Sequence, residues 1–279
     1  MSGVDEAVVR LVRAALDEDI GNRDLTAEAT VPATARARAT LLAKQDLVLA
    51  GLDAAQAAFE ARVGDLVWEP RIGEGARVVS MTAIGTLSGN ARGLLSAERV
   101  ALNFLQRLSG VATLTRRFVD AVAGTSAKIR DTRKTTPLLR SLEKRAVTLG
   151  GGIPHRSGLD TGVLIKDNHI RLAGGAAEAT RRAVAAYPGL DVETEVERID
   201  QVEAVLAAGA HMILLDNFSP AQVRQAVALI RGRVPVEVSG GVMLESVRAY
   251  AEAGADYIAI GALTHSALAA DISLEMEPA

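Results

Sequence analysis

KIRDTRKTTPLLRSLEKRAVTLGGGIPHRSGLDTGVLIKDNH, residues 128–169, opens on a short apolar run, passes through a helix-prone segment and closes on a second run, VLIKDNH. Four further runs follow it, each ending in polar residues or glycine: VETEVE (192–197), MILLDN (212–217), VPVEVSGG (234–241) and YIAIGA (257–262). Helix-prone segments separate them, over 176–187, 199–208, 220–231 and 244–253. Strands joined by crossover helices must run parallel. Six strand candidates are fewer than the eight of a complete TIM barrel, so the rhythm predicts an open doubly wound sheet or an incomplete, irregular α/β barrel. In either architecture ligands meet the carboxyl ends of the strands.

Side chains alternate along a strand, so each run can be read for what it sends to one face. Glu193, Glu195 and Glu197 share a side of their strand; Lys166 follows Leu164, Asp216 follows Leu214, and Ser239 follows Glu237. Lys166, the glutamates, Asp216 and Ser239 should therefore approach one mouth. Carboxylates there can hold magnesium against phosphates, which one or two carboxylates plus water usually do; Glu195 and Asp216 are the candidates. Pairing with interior cations is the alternative role for Glu193, Glu197 and Glu237. Ser239, Gly240 and Gly241, and then Gly261, end the last two strands, where bare backbone N–H groups can receive a phosphate. His265 lies just beyond, as a phosphate contact or a surface histidine. In the opening stretch Arg130, Arg133, Lys134, Arg156 and Lys166 cluster at segment ends beside the triplet Gly150–Gly152, with His155 and His169 in the same region. The set predicts an anion site.

The composition sets limits. The 279 residues carry 31 Lys+Arg against 34 Asp+Glu, a formal charge of −3. A nonspecific polyanion binder would be basic overall, so local cations in a mildly acidic chain point to a small anionic ligand. Aromatics are 3% of the residues, too few for a nucleic-acid stacking platform. With no cysteine, thiolate metal sites and nucleophiles are excluded. No apolar run approaches the roughly 18 residues of a membrane helix, and the amphipathic N-terminus lacks a signal-peptide core. A soluble cytoplasmic protein is expected.

Before residue 128 the chain reads differently. A helix over 5–19 with an apolar stripe (Val8, Val9, Leu11, Val12, Ala15, Leu16) precedes a polar, turn-rich stretch, DIGNRDLTAEATVP. Two short strands then flank a Gln45–Asp46 turn, and a helix from Asp53 to about Arg62 follows with Asp53 as its N-cap. VWEPRI and RVVSMTAIGTLSG read as strands. Ser96 is placed to cap a long helix reaching Gly124, with an interruption at Ser109–Gly110. The predicted domains are 1–110 and 111–267.

DTRKT (131–135), GGGIPHRSGL (150–159) and LIKDNH (164–169) together resemble the quinolinate phosphoribosyltransferase family, over nearly the whole chain. The resemblance implies an N-terminal α/β sandwich joined to an irregular α/β barrel, with residues 268–279 returning to the first domain. It implies transfer from 5-phosphoribosyl 1-pyrophosphate to quinolinate with decarboxylation, giving nicotinate mononucleotide in NAD synthesis. The acid is then bound by Arg133, His155, Arg156 and Lys166 with Thr132 beside them. The phosphoribosyl donor is bound by Lys134, Ser239, Gly240, Gly241 and Gly261, with His265 a further candidate from its position beyond the last strand. Mg2+ sits on Glu195 and Asp216, which with Lys134 form the catalytic group. Arg99 resembles the family arginine that completes the neighbouring subunit's site in a homodimer, which can assemble further. Two residues depart from the pattern: Pro154 stands where asparagine is common, and Arg145 where tyrosine follows the lysine. Three alternatives stay open: a related phosphoribosyltransferase for another aromatic acid, a non-catalytic paralogue such as the molybdenum-transport-associated one, and an aldolase-type barrel with Lys166 as a Schiff-base nucleophile.

Overall fold

The computed structural model describes residues 5–279. They divide into two compact units: the chain up to Leu114 with Pro137–Gly150 and Ala267–Ala279, and Thr115–Thr136 with Gly151–Ser266. In chain order the elements are α1 (Glu6–Ile20), α2 (Leu25–Thr30), β1 (Arg36–Ala43), β2 (Leu47–Val48), α3 (Leu52–Arg62), β3 (Val67–Pro70), β4 (Arg77–Val78), β5 (Thr82–Asn90) and α4 (Ala91–Ala121). Then come β6 (Lys128–Arg130), α5 (Arg140–Leu149), β7 (Val163–Ile165), α6 (Asp167–Ala173), α7 (Ala176–Ala186) and β8 (Val192–Val196). The last are α8 (Val202–Ala207), β9 (Met212–Asp216), α9 (Pro220–Ile230), β10 (Val236–Ser239), α10 (Val247–Glu252), β11 (Tyr257–Ala259), α11 (Ala262–His265) and β12 (Ile272–Pro278).

The first unit is built on an antiparallel sheet of order β12-β1-β5-β3, with β2 and β4 paired separately. Alternation selects the buried face of β1: Ala37, Ala39, Leu41 and Ala43 are buried while Arg36 and Arg38 are exposed. Strand β12 pairs with β1 along its whole length, from Ala37–Pro278 to Ala43–Ile272. The return of the chain end to the first domain is thus a strand addition.

Local chemistry moved several boundaries. The stretch read as polar turns contains α2, because Asp24 caps it by accepting the Ala27 N–H at 2.9 Å. Asp53 is not the N-cap of α3; Gly51 is, at φ 98°, and the Glu74 carboxylate accepts the Gly51 and Leu52 N–H groups. Helix α4 starts five residues before Ser96, with the Asn90 side chain accepting the Gly93 N–H. Ser96 is buried inside the helix, where its hydroxyl donates to Asp24.

Nor does α4 break at Ser109–Gly110. The Ser109 hydroxyl donates to the Ala50 carbonyl and accepts the Ala50 N–H. Gly110 permits a close approach, since a Cβ there would lie 2.0 Å from the Leu268 carbonyl oxygen. Both residues serve packing rather than a hinge. The compact units also divide differently from the sequence boundary at 110/111. The change of unit falls after Leu114, and α5 groups with the first unit. There its buried Glu143 accepts two hydrogen bonds from Arg107, at 2.8 and 3.1 Å, and Arg145 pairs with Asp53.

The second unit is the expected strand–helix repeat. Its six strands pair in the order β6-β11-β10-β9-β8-β7, all parallel. No pairing joins edge strands β6 and β7 among the described residues, so the barrel is incomplete; Ile153 makes a single parallel bridge to Arg130 on the free edge of β6. Every residue of β8 is buried, which a strand covered on both faces requires. Val192 packs with Ile165 and Ala179, and with Ile170, Ala183 and Val184 around them. Burying each such aliphatic side chain contributes about 1.5–3 kcal/mol.

Candidate active site

The strand alternation read from the sequence is what the second unit shows. Leu164 and Lys166, Glu195 and Glu197, Leu214 and Asp216, Glu237 and Ser239, Ala259 and Gly261 all line one cavity of about 840 Å3 at the carboxyl ends of the strands. Thr132, Arg133 and Lys134, from the loop after β6, line it too, as do His155, Arg156, Gly240, Gly241 and His265. Strand order arranges them around the mouth. The glycine ends of β11 and β10 come next to β6, the carboxylates of β9 and β8 follow, and Lys166 after β7 completes the series. Arg99 is exposed on α4, in the first unit, and of the other residues expected at the site Arg130, His169 and Glu193 do not line the cavity.

On the acid side, Lys166 Nζ lies 2.6 Å from Glu195 Oε2, and the Asp167 amide donates to the other Glu195 oxygen at 3.2 Å. Lys166 is thus engaged with a carboxylate rather than standing clear as a Schiff-base nucleophile. Arg156 donates from Nη1 to the Gly162 carbonyl at 2.9 Å, while its buried Nε has no protein partner and so is a donor left for a ligand. Burial and the neighbouring Arg133 cation lower the Arg156 pKa. Two guanidinium groups close enough to feel each other are matched to an anion. Pro154 is exposed and does not line the cavity, and Arg145 is occupied with Asp53, so neither departure from the family pattern alters the wall.

Beneath this wall Arg130 and His155, expected at the anion site, are tied to Glu193 and Glu237. Arg130 Nη1 donates to Glu237 Oε2 at 2.6 Å, with its guanidinium 4.4 Å above the Tyr257 ring. The His155 ring nitrogen Nε2 lies 3.2 Å from Glu193 and 3.4 Å from Glu237. Burial alone would lower the His155 pKa, but the two carboxylates outweigh it and raise it from 6.5 to about 9. On its other side Nδ1 accepts the Arg156 N–H at 2.7 Å, and the His155 N–H donates to Asp131 at 2.8 Å. His155, Glu193 and Glu237 are spaced like a metal-ligand set. Arg130 already neutralises Glu237, however, and His155 Nε2, facing two carboxylates, carries a proton and so offers a metal no lone pair. Interior pairing, the alternative role raised for Glu193 and Glu237, is the geometry they adopt; their signal was glutamate alternating with valine in a strand facing Arg130.

The donor chemistry for magnesium lies instead in Glu195 and Asp216. Their carboxylates are hard oxygen ligands at adjacent strand ends. Burial first, and then the nearby Glu195 charge, raise the Asp216 pKa. Such mutual repulsion is relieved by a bound cation, so the pair fits Mg2+. Next to it the phosphate side is open backbone: Gly240 (φ 93°) and Gly241 (φ 60°) are left-handed, and the Thr264 hydroxyl anchors the Lys134 carbonyl at 2.9 Å. At Gly261 a Cβ would sit 3.1 Å from both the His265 ring and the Lys134 side chain, so the bare glycine keeps these two side chains close.

Cations, an acidic pair and glycine turns thus gather at one mouth of an incomplete parallel barrel, and similarity to known proteins says which class of enzyme is built this way: the phosphoribosyltransferases. The chain belongs to the quinolinate phosphoribosyl transferase family: the models of its N-terminal and C-terminal domains match residues 24–109 and 111–275. A nicotinate-nucleotide pyrophosphorylase [carboxylating] of Mycobacterium leprae is 44% identical over 95% of both chains. A probable one of Bacillus subtilis is 41% identical, over 93% of this chain and 90% of that one. The solved structure of the nicotinate-nucleotide pyrophosphorylase from Francisella tularensis superposes with a TM-score of 0.93 at 38% identity, covering 98% of this chain and 96% of that one.

Proposed function

We propose that the chain transfers the phosphoribosyl group of 5-phosphoribosyl 1-pyrophosphate to the ring nitrogen of quinolinate. Pyrophosphate leaves in that step, and the adjacent carboxylate then leaves as CO2 to give nicotinate mononucleotide. The observation that carries this is one cavity where cations (Arg133, Arg156, Lys166), the Glu195 and Asp216 carboxylates and the glycine ends of β10 and β11 meet. Quinolinate is a dianion, and Arg133, Arg156 and Lys166 grip its carboxylates and orient the ring nitrogen toward the ribosyl carbon, a gain of position. Glu195 and Asp216 hold Mg2+, which when bound supplies charge neutralisation to the departing pyrophosphate. Lys134 and the amides of Gly240, Gly241 and Gly261 receive its oxygens, an electrostatic contribution. Once the nitrogen is alkylated it is cationic and stabilises the electron pair left on the neighbouring carbon until that carbon takes up a proton from water, so no protein nucleophile is required.

The protein acts as a homodimer in which Arg99 of each subunit completes the partner's acid site; its exposure on α4 leaves it open to a second chain. Work in the cytoplasm is part of the proposal; among the described residues no helix is long and apolar enough to cross a membrane. Product identification by mass after incubation with Mg2+, 5-phosphoribosyl 1-pyrophosphate and either quinolinate or nicotinate tests the assignment. Nicotinate mononucleotide should form from quinolinate; formation from nicotinate alone would overturn it.

A further inference from the structure

At the end of β9 the chain does something costly. Asn217, directly after Asp216, has φ 57°, a left-handed conformation that a residue with a side chain adopts at a penalty and that asparagine tolerates better than most. Three contacts hold it there. Its backbone N–H donates to the Ser239 carbonyl at 2.9 Å, tying the end of β9 to the end of β10. Its side-chain amide donates to Asp216 Oδ2 at 2.7 Å. Its side chain also occupies the space beside Gly240, where a Cβ would come within 2.2 Å of Asn217 Oδ1 and 2.9 Å of the Asn217 backbone nitrogen. Asn217 lines the cavity, between the acidic pair and the Gly240–Gly241 turn.

We propose that Asn217 is a positioning residue for the phosphoribosyl donor, fixing the Asp216 carboxylate and the Gly240–Gly241 backbone relative to each other. The inference rests on the proposed function. With Oδ2 accepting from the Asn217 amide, the Asp216 carboxylate plane is set and Oδ1 is the oxygen that amide does not engage. The same side chain packs on the turn whose amides face the pyrophosphate, so one residue coordinates the two halves of the donor site. A left-handed backbone is how a single side chain reaches both: an extended residue at 217 would continue the strand alternation and send its side chain away from the Asp216 face. Backbone strain at a ligand clamp, held in place by surrounding contacts, is an expected use of such a conformation.

Asn217→Gly separates the side chain from the backbone, because glycine takes φ 57° without strain. The measurements are Mn2+ binding by electron paramagnetic resonance without substrate, the KM values for 5-phosphoribosyl 1-pyrophosphate and quinolinate, and the thermal midpoint. The expected result is Mn2+ affinity and donor KM each worse by about tenfold, the equivalent of one charged hydrogen bond. The quinolinate KM should stay within about twofold and the thermal midpoint should be unchanged. Equal weakening of both substrates, or unaltered Mn2+ and donor affinity, would overturn the proposal. Asn217→Asp keeps the shape beside Gly240 but cannot donate as a carboxylate; a wild-type donor KM in that variant would assign Asn217 to packing alone. If the wild-type protein itself binds neither Mn2+ nor the donor, the proposed function fails and not merely the role of Asn217.

Discussion

Lys166 Nζ and Glu195 Oε2 lie 2.6 Å apart at the ends of neighbouring strands β7 and β8. The pair joins Lys166, on the cationic side of the cavity, to the Glu195–Asp216 carboxylates proposed to hold Mg2+. Glu195 is buried whereas the Lys166 side chain is 43% exposed, so removing the lysine leaves a carboxylate that water can still reach through the vacated space. Lys166→Ala should therefore cost on the order of 1 kcal/mol in stability, the range of a partly exposed pair. Its effect on chemistry should be larger, with kcat/KM for quinolinate falling at least tenfold. Chemical denaturation beside steady-state kinetics measures both; a collapse of stability with unchanged kinetics in the remaining folded protein would reverse the assignment.

Arg156→Ala removes a guanidinium whose buried Nε is without a protein partner. A charged hydrogen bond contributes roughly 1.5–3 kcal/mol, so quinolinate should bind about ten- to a hundredfold more weakly. Binding of 5-phosphoribosyl 1-pyrophosphate should change much less. Calorimetric titration with each ligand separately decides it, and equal weakening would place Arg156 in the donor site or in the fold.

The His155 pKa, raised to about 9 by Glu193 and Glu237 against the effect of burial, gives a signed expectation. A group whose folded pKa exceeds its unfolded value contributes stability that is complete below the unfolded value, here about 6.5, and is lost as pH rises through about 9. Urea midpoints of the wild type should thus decline from pH 6.5 to 9 relative to those of His155→Gln. Parallel pH profiles for the two proteins would mean that His155 is neutral in the folded state.

Much of this site was legible in the sequence because strand alternation is strict. With VETEVE, MILLDN and VEVSGG as parallel strands, the faces of Glu195, Asp216 and Ser239 follow. What escaped were features set by contacts distant in sequence. Ser109–Gly110 reads locally as a helix breaker; only the approach of Leu268 to Gly110 and the bonds of Ser109 to Ala50 explain the pair inside a continuous helix. Asp53 reads as an N-cap, but Glu74, twenty-two residues past Leu52, supplies that oxygen. The Arg130–Glu237 pair spans 107 residues, and no local pattern announces it. Asn217 left a faint signal, as an asparagine ending a strand beside a glycine turn.

Arg99 acting in the partner's site is tested by mixing two inactive variants, Arg99→Ala and Lys166→Ala, under conditions of subunit exchange. A two-fold heterodimer collects both defects in one site and leaves the other intact, so activity should return to about a quarter of wild type. Activity that stays at the level of the single variants, with exchange demonstrated, would assign Arg99 to its own chain or to no catalytic purpose.

The central claim is that glycosidic transfer at this cavity makes the ring nitrogen cationic and thereby allows the carboxylate to leave. Quinolinate carrying 13C in the carboxylate next to the nitrogen measures this directly. With Mg2+ and 5-phosphoribosyl 1-pyrophosphate, one labelled CO2 should appear for each nicotinate mononucleotide formed, and none should appear when the donor is omitted. Labelled CO2 released without the donor, or label retained in the nucleotide product, would contradict the account.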